Sequence, residues 1–330
     1  MPNYVKQKVL IAGSDEERQQ VRDLLDQKPN DFEVEKDVSY FDFNRVIPMP
    51  DSLHMTSGST ENIAKALINK PKYAFEVPFN EDMREGIFTN LSAFYKTYFK
   101  SMNPIKLNDA GFEDYTKKLT EVWDKISKDN DSDSLEHTIQ YLDNKRKYGA
   151  TSWYDWACDN WGTKWNAGSV YWSDQNDIIS FDTAWSIPLP VYKELAKKFP
   201  TVKFFVFFAD EDTGSNCGIV YLEGDTYKYY DPQLADDDML LSTAFANIIH
   251  GYHYESIEDY CDDQGYESME EFKEDYGNNE IERIKQSILI EHPILNVATL
   301  AMSVANDTDM NDMSDFVKNI FNNEIEELQG

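Results

Sequence analysis

The sequence predicts an α+β protein: a β-sheet with helices on one face, interrupted by a helical insertion and followed by an acidic helical region. Three observations carry this reading. Short runs of β-branched and aromatic residues cluster in residues 1–50 and 149–232. Residues 51–148 instead space their apolar side chains by three and four. Residues 233–330 return to helical spacing and are heavily acidic. The expected plan is therefore a sheet built jointly from 1–50 and 149–232, with 51–148 inserted and 233–330 appended.

Residues 1–50 read as strand, helix, strand. Val5 to Ile11 is β-prone and stops at Gly13. Ser14 stands three residues before Glu17, the spacing of a capping box, and opens the amphipathic stretch EERQQVRDLLDQ. Val38 to Ile47, rich in β-branched and aromatic residues, is expected as a second strand stopped by Pro48 and Pro50. In the insertion, Phe112, Tyr115, Leu119, Val122, Trp123 and Ile126 form one apolar helix face. Lys128 to Ser134 is polar, without period, and reads as a loop. A further helix runs through Ile139 and Leu142 to Gly149.

Six of the seven tryptophans fall between Trp153 and Trp185. TSWYDWACDNWG reads as a helix ended by Gly162 in the left-handed position. Asn166 to Trp172 and Asp177 to Trp185 read as strands joined at the turn-prone SDQND. PLPVYKELAKKFP reads as a short helix bounded by proline at both ends. Val202 to Ala209, Cys217 to Leu222 and Tyr227 to Tyr230 complete the sheet. Beyond it, Ser268 stands three residues before Glu271, a second capping-box spacing. Helices are expected over Met239–Ile249, Ile281–Ile290 and Met313–Leu328.

Two tryptophan-bearing blocks carry a family resemblance. Asn160-Trp161-Gly162-Thr163-Lys164-Trp165-Asn166-Ala167 and Phe181-Asp182-Thr183-Ala184-Trp185-Ser186-Ile187-Pro188 resemble the Api-like proteins of bacteriophages and conjugative plasmids. Phe41-Asp42-Phe43-Asn44 with Ile47-Pro48-Met49-Pro50 is similar to their opening segment. The resemblance covers about residues 1–60 and 145–232. It implies a ferredoxin-like, mostly antiparallel sheet and a mobile-element protein working in the cytoplasm of a bacterial host. It implies no reaction and no cofactor. Physically, Trp161 and Trp165 read as buried anchors around the Gly162 turn, with Lys164 laying its stem over them and Trp185 ending a strand. The alternative, a stacking platform for bases, needs a positive groove that this chain is not expected to supply.

No residue pattern supplies recognisable catalytic machinery. His250 and His253 with Glu255 lack the internal glutamate of a zinc-protease helix and a third ligand at set spacing. Asp262, Asp263, Gly265 and Glu267 miss the spacing of a calcium loop. Cys158 lies between Asp155 and Asp159, carboxylates that disfavour its thiolate. Glycine-rich phosphate loops and the G-x-S-x-G elbow are missing. The three cysteines, odd in number and widely spaced, form no disulfide or metal framework. No run approaches the ~18 apolar residues that span a bilayer, and the N-terminus does not read as a signal peptide.

Charge is the outstanding feature. With 61 acidic and 31 basic residues the formal charge is −30, which disfavours direct binding to nucleic acid or anionic membranes. Residues 209–282 hold 21 Asp or Glu against only Lys228 and Lys273, so this window alone carries −19. Within it lie Asp236, Asp237, Asp238, Asp262, Asp263, Glu270, Glu271, Glu274 and Asp275, interleaved with aromatics such as Tyr260, Tyr266 and Phe272. Duplex DNA carries a charge every ~1.7 Å of axis, and carboxylates at helix and loop spacings approximate such a line. The window is open to two readings: a face that binds a basic or nucleic-acid-binding partner, or a solvated face that confers solubility. The expectation is a non-enzymatic binding protein that inhibits a host defence or nucleic-acid-binding protein. The alternatives are an enzyme whose site assembles only in the fold and a self-associating structural protein.

Overall fold

The computed structural model describes residues 3–27, 39–57, 61, 64, 65, 67, 68, 109–126, 132–212, 214–230, 246, 247, 249–251, 257–263 and 265–288. The chain divides into two compact units, one of Met1–Pro48 with Asn160–Gly330 and one of Met49–Asp159.

The first unit is built on a six-stranded antiparallel sheet. Its strands are β1 (Tyr4–Ala12), β2 (Gly168–Trp172), β3 (Ile178–Ala184), β4 (Lys203–Asp210), β5 (Gly218–Glu223) and β6 (Thr226–Tyr230), in spatial order β2-β3-β1-β4-β5-β6. With α1 (Asp15–Leu25) after β1, and a helix at Leu189–Lys198 after β3, the first four strands follow the β-α-β-β-α-β plan of a ferredoxin-like fold. β1 is central, pairing with β3 from Tyr4↔Ala184 to Leu10↔Ile178 and with β4 from Val5↔Asp210 to Ala12↔Lys203. The N-terminal strand and the tryptophan-rich region thus share one sheet.

The register decides the faces. Gln7, Phe181 and Phe208 lie on one face, where the buried Tyr192 hydroxyl donates to Gln7 Oε1. Gln7 Nε2 in turn donates to Thr183 Oγ1 at 2.7 Å. The guanidinium of Arg22 in α1 stands 5.5 Å above the Trp172 ring on that same face. On the opposite face Leu10, Phe205, Phe207, Ile219 and Tyr221 are also buried. Every residue of β4 from Phe204 to Asp210 is buried, so this strand is covered on both sides. At the second face His250 Nε2 lies 2.9 Å from the Asp210 carbonyl, and Lys6 Nζ donates to the His250 carbonyl at 3.4 Å.

Local chemistry accounts for the element ends. The Ser14–Glu17 capping box forms as expected: Ser14 Oγ accepts the Glu17 N–H and the Glu17 carboxylate accepts the Ser14 N–H. One expectation fails. Val38 to Ile47 is not a strand: of its described part, residues 39–42 have no ladder partners and Phe43–Arg45 is a 3-10 turn. The reason is a polar side chain. Asp42 Oδ1 accepts the N–H of Asn44 at 3.1 Å, a local bond that competes with strand pairing.

The second unit holds α2 (Asp109–Ile126), α3 (Ser132–Tyr148) and α4 (Trp153–Asn160), the last ending at the unit boundary. Tyr115 and Leu119 of α2 meet Leu135, Tyr141 and Leu142 of α3 together with Ala64 and Leu67. Gly149, where the helix was expected to end, follows α3 at φ +76°, a left-handed exit. The first-unit helix at Leu189–Lys198 is α5. Two more helices, α6 (Ile257–Asp263) and α7 (Met269–Ile288), lie in the acidic region, and α7 is kinked at Gly277, whose backbone is non-helical at φ +81°. The expected helix Met313–Leu328 and most of Met239–Ile249 lie outside the described residues.

Candidate functional site

Of the acidic window, residues 257–263 and 265–282 form a helical hairpin, α6 and α7. α6 ends in a reciprocal pair of backbone bonds, Gly265 N–H to the Asp262 carbonyl and Tyr266 N–H to the Cys261 carbonyl, each 3.0 Å. Gly265 sits at φ +81°, which suits a residue without Cβ. Ser268 then opens α7: its Oγ accepts the Glu271 N–H at 3.3 Å, while Glu271 Oε2 accepts the Glu267 N–H rather than that of Ser268. Tyr260, Cys261, Phe272 and Ile281 form a small core joined by Tyr266 and Met269. The Phe272 ring meets Tyr260 and Tyr266 edge-on, at 5.9 and 5.1 Å. The aromatics interleaved with the charges thus hold the hairpin together.

That core turns the carboxylates outward. Asp262, Asp263, Glu270, Glu271, Glu274 and Asp275 are all exposed, as are Glu258, Asp259 and Glu267. Burial raises the Cys261 thiol pKa, and the Glu258 and Asp262 carboxylates raise it further, which disfavours the thiolate. Asp236, Asp237 and Asp238 lie outside the described residues, as do His253 and Glu255. No group of three metal-ligating side chains comes together among the described residues, and no helix among them is long and apolar enough to cross a membrane.

The tryptophan motif is divided in role. Trp161 is buried, 5% exposed, with its indole N–H donating to the Ile47 carbonyl at 2.9 Å and its ring edge-on to Phe43. Gly162 has φ +82°, and a Cβ there would sit 2.7 Å from Pro190 Cδ. Thr163 is buried and donates to the Ala184 carbonyl at 2.8 Å. Asn166 Oδ1 accepts the Phe43 N–H, and its Nδ2 donates to Asp42 Oδ1 at 2.8 Å. The segments around Phe43 and Trp161, far apart in sequence, therefore lock together around Phe41, Phe43 and Phe181. Trp165 departs from expectation: it is 38% exposed, with Lys164 Nζ 4.2 Å above its ring. Trp185 is exposed as well, and Asp182 is half-buried opposite Lys6.

In the second unit a polar cluster escaped the sequence reading. Glu61 is 2% exposed, yet Thr151 Oγ1 and Ser152 Oγ donate to its Oε1 at 2.6 Å each. Ser57 Oγ donates to Oε2 at 2.8 Å, and Lys65 Nζ bridges Glu61 at 3.2 Å and Asp155 at 2.9 Å. Burial pushes the Glu61 carboxyl pKa up, but Ser152, Thr151, Ser57 and Lys65 together hold it below its ordinary value. With four donors on two oxygens it is a saturated structural clasp. Ser57, Glu61 and Lys65 stand four residues apart in turn, whereas Thr151 and Ser152 are some ninety residues away.

No curated protein matches the chain. Among solved structures, the crystal structure of a protein Api92 from Yersinia pseudotuberculosis shares 12% identity, covering 70% of this chain and 99% of that chain. Its TM-score of 0.28 is too low to bear on function. A family model described as the ferredoxin-like domain in Api92-like protein matches residues 160–248, which include β2 to β6 of the sheet. Over that stretch the chain is similar to the ferredoxin-like domain of Api92-like proteins.

Proposed function

We propose that the protein acts by binding, using its acidic hairpin to occupy a basic surface that in its partner normally meets nucleic acid. One observation carries this reading: nine exposed carboxylates between Glu258 and Asp275 stand on a folded scaffold, with Lys273 as the one cation of that stretch. A disordered acidic tail would lose conformational entropy on binding, whereas helices with an aromatic core present the charges already ordered. Such a field speeds encounter with a basic partner and repels other anions. The resemblance to mobile-element proteins makes a host defence or nucleic-acid-binding protein the partner of choice, encountered in the cytoplasm of a bacterial cell.

The test compares the full chain with the variant Glu270→Gln, Glu271→Gln, Glu274→Gln, Asp275→Asn as baits in a bacterial lysate. The expected result is a basic partner retained by the parent, lost from the variant, and released as salt rises. Labelled DNA or RNA added to the purified complex should be excluded. A partner held equally by both baits, or one that keeps its nucleic acid at unchanged affinity, overturns the proposal.

A further inference from the structure

We draw no further inference here: the strongest candidate, the surface patch on the last strand of the sheet, β6, where Tyr227 and Tyr229 stand about half-exposed with Lys193 Nζ 3.6 Å above the Tyr227 ring, carries nothing because nothing in the structure shows what covers it.

Discussion

Trp161 and Trp165 stand four residues apart and occupy opposite environments, so their truncations should separate. Trp161 is sealed between Phe43 and the Ile47 carbonyl. Replacing it with alanine opens a cavity and orphans that carbonyl, for an expected loss of about 3–5 kcal/mol in denaturant unfolding. Trp165→Ala should cost less than about 1 kcal/mol, because only the contact with Lys164 and a partly wet ring are lost. Equal destabilisation by both would refute this division. Gly162→Ala combines a left-handed backbone with a Cβ 2.7 Å from Pro190, and should cost at least about 1 kcal/mol on the same assay.

At the level of elements, two contacts titrate in different ranges. Burial, aided by the Lys6 charge, lowers the His250 pKa below 6.5 while the Asp210 carbonyl opposes the shift. A carbonyl only accepts, so neutral His250 carries its proton on Nε2. The unfolded chain takes up the second imidazole proton more readily, so burial of neutral His250 contributes stability above about pH 6.5 that is lost as pH falls through the lower folded value. Glu61 follows the same sign for a carboxyl. Its depressed folded value makes the clasp stabilising above about 4.5 and weaker as pH falls further. Amide hydrogen exchange should therefore report loosening around residues 246–250 before loosening around residues 151–152 during acidification. Simultaneous loss would refute the separation. Glu61→Gln should remove the lower-pH step, since the amide does not titrate.

For the whole molecule the deciding quantity is net charge. At −30 the chain repels itself, so added salt should stabilise it or leave it unchanged, while weakening any complex held by exposed charge. Thermal melts across salt concentrations check the first expectation. A melting temperature that falls as salt is added would contradict it. The two effects of salt have opposite signs because screening removes repulsion within the chain and attraction between partners alike.

The strands β1 to β6, the helices α1 and α5, the apolar faces of α2 and α3, and the Ser14 cap were legible in the sequence. Each rests on side chains within a few positions of one another, where period, branching and capping geometry act. The acidity of residues 209–282 was likewise a matter of counting. The sheet order that places β1 between β3 and β4 expresses long-range pairing; the joint sheet was expected, but its register was not readable from periodicity. The Phe43 turn has a local cause, the Asp42–Asn44 bond, but the same limit hid its anchor on Asn166, more than a hundred residues away. It hid the Glu61 clasp, whose donors come from Ser57, Lys65, Thr151 and Ser152. It also hid the hydrogen bonds that hold the Trp185 backbone to Asn3 and Asn216. Local patterns state what each segment prefers to be, while tertiary hydrogen bonds between distant residues decide which tryptophan is buried and which is exposed.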